Sequence, residues 1–228
     1  MKPRKGSFVR SMLAIIWKDL AAELRSRELV SAMLVFALLV IFIFNFALEL
    51  DAQARATVTA GVLWVTFTFA GTIGLNRSMA VEKDRGCLDG LLLAPVDRSA
   101  IYFGKMLSNL AFMLMMAVII LPVYSLFYNV NLFNPALVLV IFLGSLGYVT
   151  VGTLLSSMAV QARTRDILLP ILLFPVVLPL VVAAVKASTV VLAGQPLGDA
   201  LAYLNLMIVY DVIFIAVAFM VFDFVVEE

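Results

Sequence analysis

An all-α polytopic membrane protein with six transmembrane helices is the fold class that the sequence predicts. Hydrophobic residues make up 64% of the 228 residues and charged residues only 14%, whereas soluble domains average about 45–50% and about 25%. The mean hydropathy is +1.11. The apolar residues form continuous runs that do not alternate with polar ones, which disfavours a transmembrane β-barrel. A single soluble core could not bury this much apolar surface.

Runs without Asp, Glu, Lys or Arg mark the spans, because about 20 apolar residues are needed to cross about 30 Å of hydrocarbon. Residues 106–162 form one such run, long enough for two spans. Asn129, Asn131, Asn134 and Pro135 interrupt it and predict the turn between them. The predicted spans are 29–48, 57–75, 104–127, 136–158, 167–185 and 204–223. The chain therefore divides into an N-terminal cytosolic segment, 1–28, and a six-span domain, 29–228.

The basic residues are distributed unevenly among the segments that join these spans. Fourteen of the 16 Lys and Arg residues fall on one alternate set of segments and two on the other. Because cytoplasmic loops carry the excess of Lys and Arg, we expect both termini in the cytosol.

Residues 7–27 have the pattern of an amphipathic helix. Arg10, Lys18 and Arg25 fall on the face opposite to an apolar stripe. The stripe consists of Val9, Met12, Leu13, Ile16, Leu20 and Leu24. This pattern predicts a helix that lies in the cytosolic interface, with its basic residues near anionic head groups. The alternative is a helix packed on a partner domain.

The loop between spans two and three, residues 77–105, is longer than a simple turn requires. Residues 77–85 predict a short charged helix, and Gly86 can supply a left-handed stop. A second short helix follows and ends at Pro95. Its apolar residues are Leu88, Leu91, Leu92 and Leu93. Apolar anchors with a charged rim are typical of a docking surface, and the alternative is a solvated surface turn.

The pattern Glu82-x-x-x-Gly86-x-Leu88, followed by Leu91, Pro95, Arg98 and Lys105, resembles the cytosolic loop of ABC-2-type six-span exporter permeases. Within that class, nearly the whole chain resembles the heme exporter B family, the permease subunits of the cytochrome c maturation ABC transporter. The resemblance implies a coupling helix in this loop that contacts a separate ATPase subunit. The contact residues it implies are Glu82, Lys83, Asp84, Arg85, Gly86, Leu88 and Leu91.

The resemblance also implies the partners and the location. The partners are an ABC ATPase subunit, a second copy of this chain, a histidine-bearing heme-handling membrane subunit, a small single-span subunit and a heme chaperone. The location is the bacterial inner membrane, where the chain contacts membrane lipids, and we expect no nucleic-acid partner. Heme is the expected substrate and not a resident cofactor, because the chain has no histidine to act as an axial ligand.

No enzymatic activity is expected of the chain itself. Gly104-Lys105 is its only Gly-Lys pair, and Ser99 stands where a phosphate-binding loop has its first glycine. ATP hydrolysis is therefore assigned to the ATPase partner. Two other functions stay open: an ABC-2-type permease for a lipid or drug, and a scaffold that holds assembly factors without transporting anything.

Two features inside the membrane complete the prediction. Asp211 lies within span six, where a charged Asp costs about 2.5–3.5 kcal/mol, so we expect it to face protein or water. It is either a polar anchor on the substrate path or at the permease interface, or a structural hydrogen-bonding group between spans, or a residue at a shallower depth in the membrane. Residues 187–198 are uncharged but too short to cross the bilayer, and we expect them to dip into it from the outer side.

Overall fold

The computed structural model describes residues 8–47, 52–84, 86–87, 90, 96–128, 132, 134–160, 162 and 164–225. Every long element in this part of the chain is an α-helix. The seven helices are α1 (Phe8–Ser26), α2 (Glu28–Ala47), α3 (Ala52–Asp84), α4 (Arg98–Tyr128), α5 (Pro135–Ala159), α6 (Arg165–Leu192) and α7 (Leu197–Val225).

Six of these helices are long and apolar enough to cross a membrane, which confirms the predicted number of spans. The crossing segments are Glu28–Ala47, Val58–Asp84, Arg98–Tyr128, Pro135–Ala159, Asp166–Leu192 and Leu197–Phe222. α1 precedes them as a separate helix, as the amphipathic pattern predicts.

The C-terminal end of span two differs from the prediction. Residues 77–84 do not form a separate short helix but continue α3 without a break as far as Asp84. At 1.5 Å per residue, the 33 residues of α3 span about 50 Å, more than the hydrocarbon thickness. The sequence-based boundary was too early because polar residues end an apolar run without ending a helix.

The end of span five also differs from the prediction. Residues 187–198 do not form a separate re-entrant piece, because α6 continues to Leu192 and α7 begins at Leu197; their depth in the membrane stays a prediction. The helix ends where Gly194 adopts a φ of 67°, a left-handed conformation that glycine tolerates. α6 also passes through Pro170, Pro175 and Pro179 as one helix.

α5 lies at the centre of the bundle and contacts α3, α4, α6 and α7. Its glycines allow this close approach. A β-carbon at Gly144 would overlap the indole of Trp64, and one at Gly152 would overlap the side chain of Leu75. Both partners lie on α3, so these two glycines set the contact between spans two and four.

Buried polar side chains link the helices further. Trp64 Nε1 donates a hydrogen bond to Ser188 Oγ at 2.9 Å, which joins α3 to α6. Tyr148 Oη donates to the Thr68 carbonyl oxygen at 2.6 Å, which joins α5 to α3. Because lipid offers no alternative partners, each of these groups must be satisfied inside the protein.

Candidate functional site

Residues 85–97 join α3 to α4, and we call them the coupling segment after the role predicted for them. Gly86 has a φ of 66°, which confirms the predicted left-handed stop, and its N–H donates to the Lys83 carbonyl at 3.0 Å. The N–H of Gly90 donates to the Gly86 carbonyl at 3.4 Å. The predicted contact residues Arg85, Leu88 and Leu91 lie outside the described residues, so their role stays a prediction.

Four charged side chains meet where this segment joins the membrane domain, and we call them the ion cluster: Lys18, Asp19, Glu82 and Lys105. Lys105 is at its centre. Its Nζ lies 2.8 Å from Glu82 Oε1 and 2.9 Å from Asp19 Oδ2. Its side chain is only 3% exposed. One buried ammonium group therefore joins α4 to the end of α3 and to α1.

Lys18 completes the cluster from its outer side. Its Nζ lies 2.6 Å from Glu82 Oε1 and 3.2 Å from Asp19 Oδ1, and its side chain is 42% exposed. Burial alone would lower the pKa of Lys18, but the hydrogen bond to Glu82 and the negative charges of Asp19 and Glu82 outweigh it and raise that pKa. Two cations thus balance two carboxylates, which is the condition under which buried charges are tolerated.

The position of α1 depends on a close contact with α4. A β-carbon at Gly104 would lie 2.9 Å from the β-carbon of Ile15. Ile15, Asp19 and Glu23 follow one another at one-turn intervals and are all buried. Because residues four apart share a helix face, these three form the stripe by which α1 packs on the bundle.

The opposite side of α1 is apolar and exposed. Val9, Leu13 and Leu24 are among its exposed side chains, and Trp17 is 75% exposed. The sequence pattern predicted this apolar stripe but did not indicate that two acidic residues face the protein.

The C-terminal half of α3 contacts two further helices. Arg77 forms an ion pair with Glu28 at the start of α2. Asn76 Nδ2 donates to Asp166 Oδ1 at 2.8 Å, at the start of α6. The end of span two is therefore connected to α1, α2, α4 and α6 by polar side chains.

The structure separates the predicted site residues into three groups. Glu82 is buried in the ion cluster, whereas Lys83, Asp84 and Gly86 lie at the edge of the coupling segment, with Asp84 and Gly86 exposed. Asp211 does not belong to the cluster.

Asp211 faces protein and not lipid, as predicted for a carboxyl group inside a span. It is 4% exposed, and a β-carbon at Gly147 of α5 would overlap its Oδ1. Among the described residues, neither of its carboxyl oxygens has a hydrogen-bond partner.

Sequence reasoning did not select Lys18, Asp19 or Lys105 as site residues. Two signals were available in the sequence. Asp19 is acidic within a mainly basic segment, and Lys105 lies near the start of a long apolar run. A lysine in that position needs a carboxylate nearby if it is to be buried.

Comparison with known proteins places this arrangement in a family. A family model described as CcmB protein matches residues 10–224, which include most of α1, all six spans and the coupling segment. The chain belongs to the CcmB protein family. The match covers the ion cluster together with the six spans, so the cluster lies within the region that defines membership.

Several curated relatives cover most of the chain. A heme exporter protein B of Rhodobacter capsulatus is 26% identical over 171 residues, 74% of this chain and 78% of the relative. Those of Pseudomonas aeruginosa and Haemophilus influenzae are each 24% identical, over 79% and 86% of this chain and 81% and 90% of the relative. The family assignment therefore applies to the six-span architecture as a whole.

Proposed function

We propose that this chain is the permease subunit of an ABC transporter that handles heme for cytochrome c maturation in the bacterial inner membrane. The relatives named heme exporter protein B support the substrate, and the six spans support the role of a permease. The ion cluster is the observation that carries the proposed mechanism, because it joins both ends of the coupling segment within one buried network.

The ion cluster suits a segment that receives mechanical work. Glu82 lies near the end of α3 and Lys105 near the start of α4, and their 2.8 Å contact holds the two helices together directly beside the coupling segment. A displacement of the segment by an ATPase subunit therefore moves both helix ends together. Rigid-body movement of packed helices is an established route by which one site drives another. Of the proposed contact residues, Glu82, Lys83, Asp84 and Gly86 lie within the described structure, and Glu82 is the one buried in the ion cluster.

The proposed cargo is heme, either carried across the membrane or released by ATP-driven movement. The chain contains no histidine, so axial ligation of the iron is assigned to other subunits. These are the histidine-bearing membrane subunit and the small single-span subunit, and a heme chaperone receives the product. A second copy of this chain completes the transport unit.

The proposed orientation has both termini in the cytosol and α1 lying in the cytosolic interface. The positive-inside bias supports the orientation, and the exposed apolar stripe around Trp17 supports the position of α1. The coupling segment then lies on the side where ATP is available.

The test is to reconstitute the chain with its candidate ATPase, heme-handling subunit and chaperone, and to compare Arg85→Glu with Arg10→Glu as a matched control on exposed α1. Arg85→Glu should weaken ATPase binding or lower heme-stimulated ATP turnover, while Arg10→Glu leaves both unchanged. Unchanged binding and turnover in Arg85→Glu would favour the scaffold. Stimulation of turnover by a lipid or drug, but not by heme, would favour a permease for another substrate.

A further inference from the structure

The end of α1 makes a second connection, to the first span. Glu23 is buried in the last turns of α1. Its carboxylate accepts hydrogen bonds from the N–H groups of Val30 at 2.8 Å and Leu29 at 3.3 Å. Both N–H groups belong to the first turn of α2, where a helix has no internal partners for its donors. The negative charge of a carboxylate is also stabilised by the partial positive charge at a helix N-terminus. α1 thus holds the start of span one through a buried, charge-assisted cap.

The connection between α1 and α2 is short and has a defined backbone conformation. Arg27 is the single residue between the two helices, and its φ of 55° is the only positive value at a non-glycine residue in the described part of the chain. Its N–H donates to the Glu23 carbonyl at 2.6 Å. A left-handed conformation at a non-glycine residue persists only where the surroundings enforce it. The two helices are therefore joined by a defined corner and not by a free linker.

We infer that Asp19 and Glu23 are positioning residues that carry movement of the coupling segment into span one. The inference rests on the proposed function. Asp19 receives the movement through Lys105, which lies 2.9 Å away and also binds Glu82. Glu23, one turn further along the same face of α1, passes it to the first turn of α2. α1 is then a transmission element as well as a surface helix.

A second route from α3 to span one exists but is weaker. Arg77 and Glu28 form an ion pair whose side chains are 42% and 56% exposed. Exposed pairs contribute little, because water and salt screen them. The buried cap at Glu23 is the stiffer connection, and Glu28 provides a matched control: it is the same residue type, on the neighbouring turn, outside the buried path.

The experiment uses the reconstituted complex in lipid nanodiscs and measures heme delivered to the chaperone per ATP hydrolysed, together with ATPase binding. In Glu23→Ala, binding and ATP turnover should be retained, while heme delivered per ATP falls by about fivefold or more, the usual scale of coupling between sites. Glu23→Gln keeps an acceptor oxygen but loses the charge, so it should fall between Glu23→Ala and the unaltered chain. Glu28→Gln should leave the ratio unchanged.

A charge exchange tests the same path at its other end. Asp19→Lys alone places three cations beside Glu82 and should lower the ratio. Combining it with Lys105→Glu restores two cations and two carboxylates, and should recover much of the ratio. A merely structural role does not predict recovery of heme delivered per ATP at constant ATPase binding.

Each result bears on one claim. An unchanged ratio in Glu23→Ala, or an exchange that folds without recovering the ratio, would overturn the inference, and thermal unfolding of each variant identifies those that fold. Neither result affects the proposed function, which fails if the unaltered complex binds no ATPase or delivers no heme when ATP is hydrolysed.

Discussion

Removing the central ammonium group of the ion cluster is the most direct test of how α1, α3 and α4 are held together. In Lys105→Met, the apolar stem is kept and the charge is lost. Asp19 and Glu82 stay buried, with only the half-exposed Lys18 as a counter-ion. Breaking a buried ion pair from one side costs about 3–5 kcal/mol, and Lys18 offsets part of this. We therefore expect a loss of about 3 kcal/mol in the free energy of unfolding.

The measurement is thermal unfolding of the purified chain in detergent, at pH 7 and constant salt. For a chain of this size, about 3 kcal/mol corresponds to a Tm lower by about 6–12 °C. Lys18→Met is the control, because its side chain is 42% exposed and exposed pairs are worth about 0–1 kcal/mol. Its Tm should fall by no more than about 4 °C.

Neutralising the carboxylates along with the lysine provides the second half of the test. When Lys105→Met is combined with Asp19→Asn and Glu82→Gln, no uncompensated carboxylate remains, so much of the lost stability should return. The reasoning is refuted if Lys105→Met unfolds at the same temperature as the unaltered chain, or if Lys18→Met is equally damaging.

Three further predictions concern packing and position. Gly104→Ala should destabilise the chain by about 1–3 kcal/mol, because its β-carbon would push α1 away from α4. Gly61→Ala is the control and should be neutral, because its β-carbon would have open space around it. Equal Tm values for the two variants would contradict this prediction. Trp64→Phe leaves Ser188 Oγ without its donor and should cost about 1–3 kcal/mol, an effect that should shrink in a Ser188→Ala background if the hydrogen bond is the cause. In the Trp64→Phe chain Trp17 is the only tryptophan, and brominated lipids should quench its fluorescence more strongly than aqueous acrylamide does; the reverse order would place α1 away from the bilayer.

The number and order of the spans could be predicted from the sequence, because charged side chains are unfavourable in the hydrocarbon and spans therefore stand out as runs without charged residues. The ends of the helices could not, since a polar residue such as Arg77 leaves the hydrocarbon without leaving the helix. The C-terminal end of α6 shows the converse. Its apolar residues after Lys186 continue the helix to Leu192, because no proline or left-handed residue stands between Lys186 and Gly194.

The candidate site was only partly predictable. Glu82 and Gly86 stand in the loop pattern, and the structure gives them distinct roles, one in a buried ion pair and one in a left-handed stop. Asp19 was missed because helical periodicity identifies an apolar stripe easily but does not reveal that an acidic stripe is buried. That burial depends on Lys105, which contacts Asp19 only in the folded bundle.

The contact between Asp19 and Lys105 has a consequence for the order in which the helices assemble during synthesis. α1 is synthesised first, but Lys105, whose ammonium group neutralises the buried Asp19, is synthesised only after the first two spans. We therefore expect α1, the first helix to be made, to dock on the bundle only after α4 is in place.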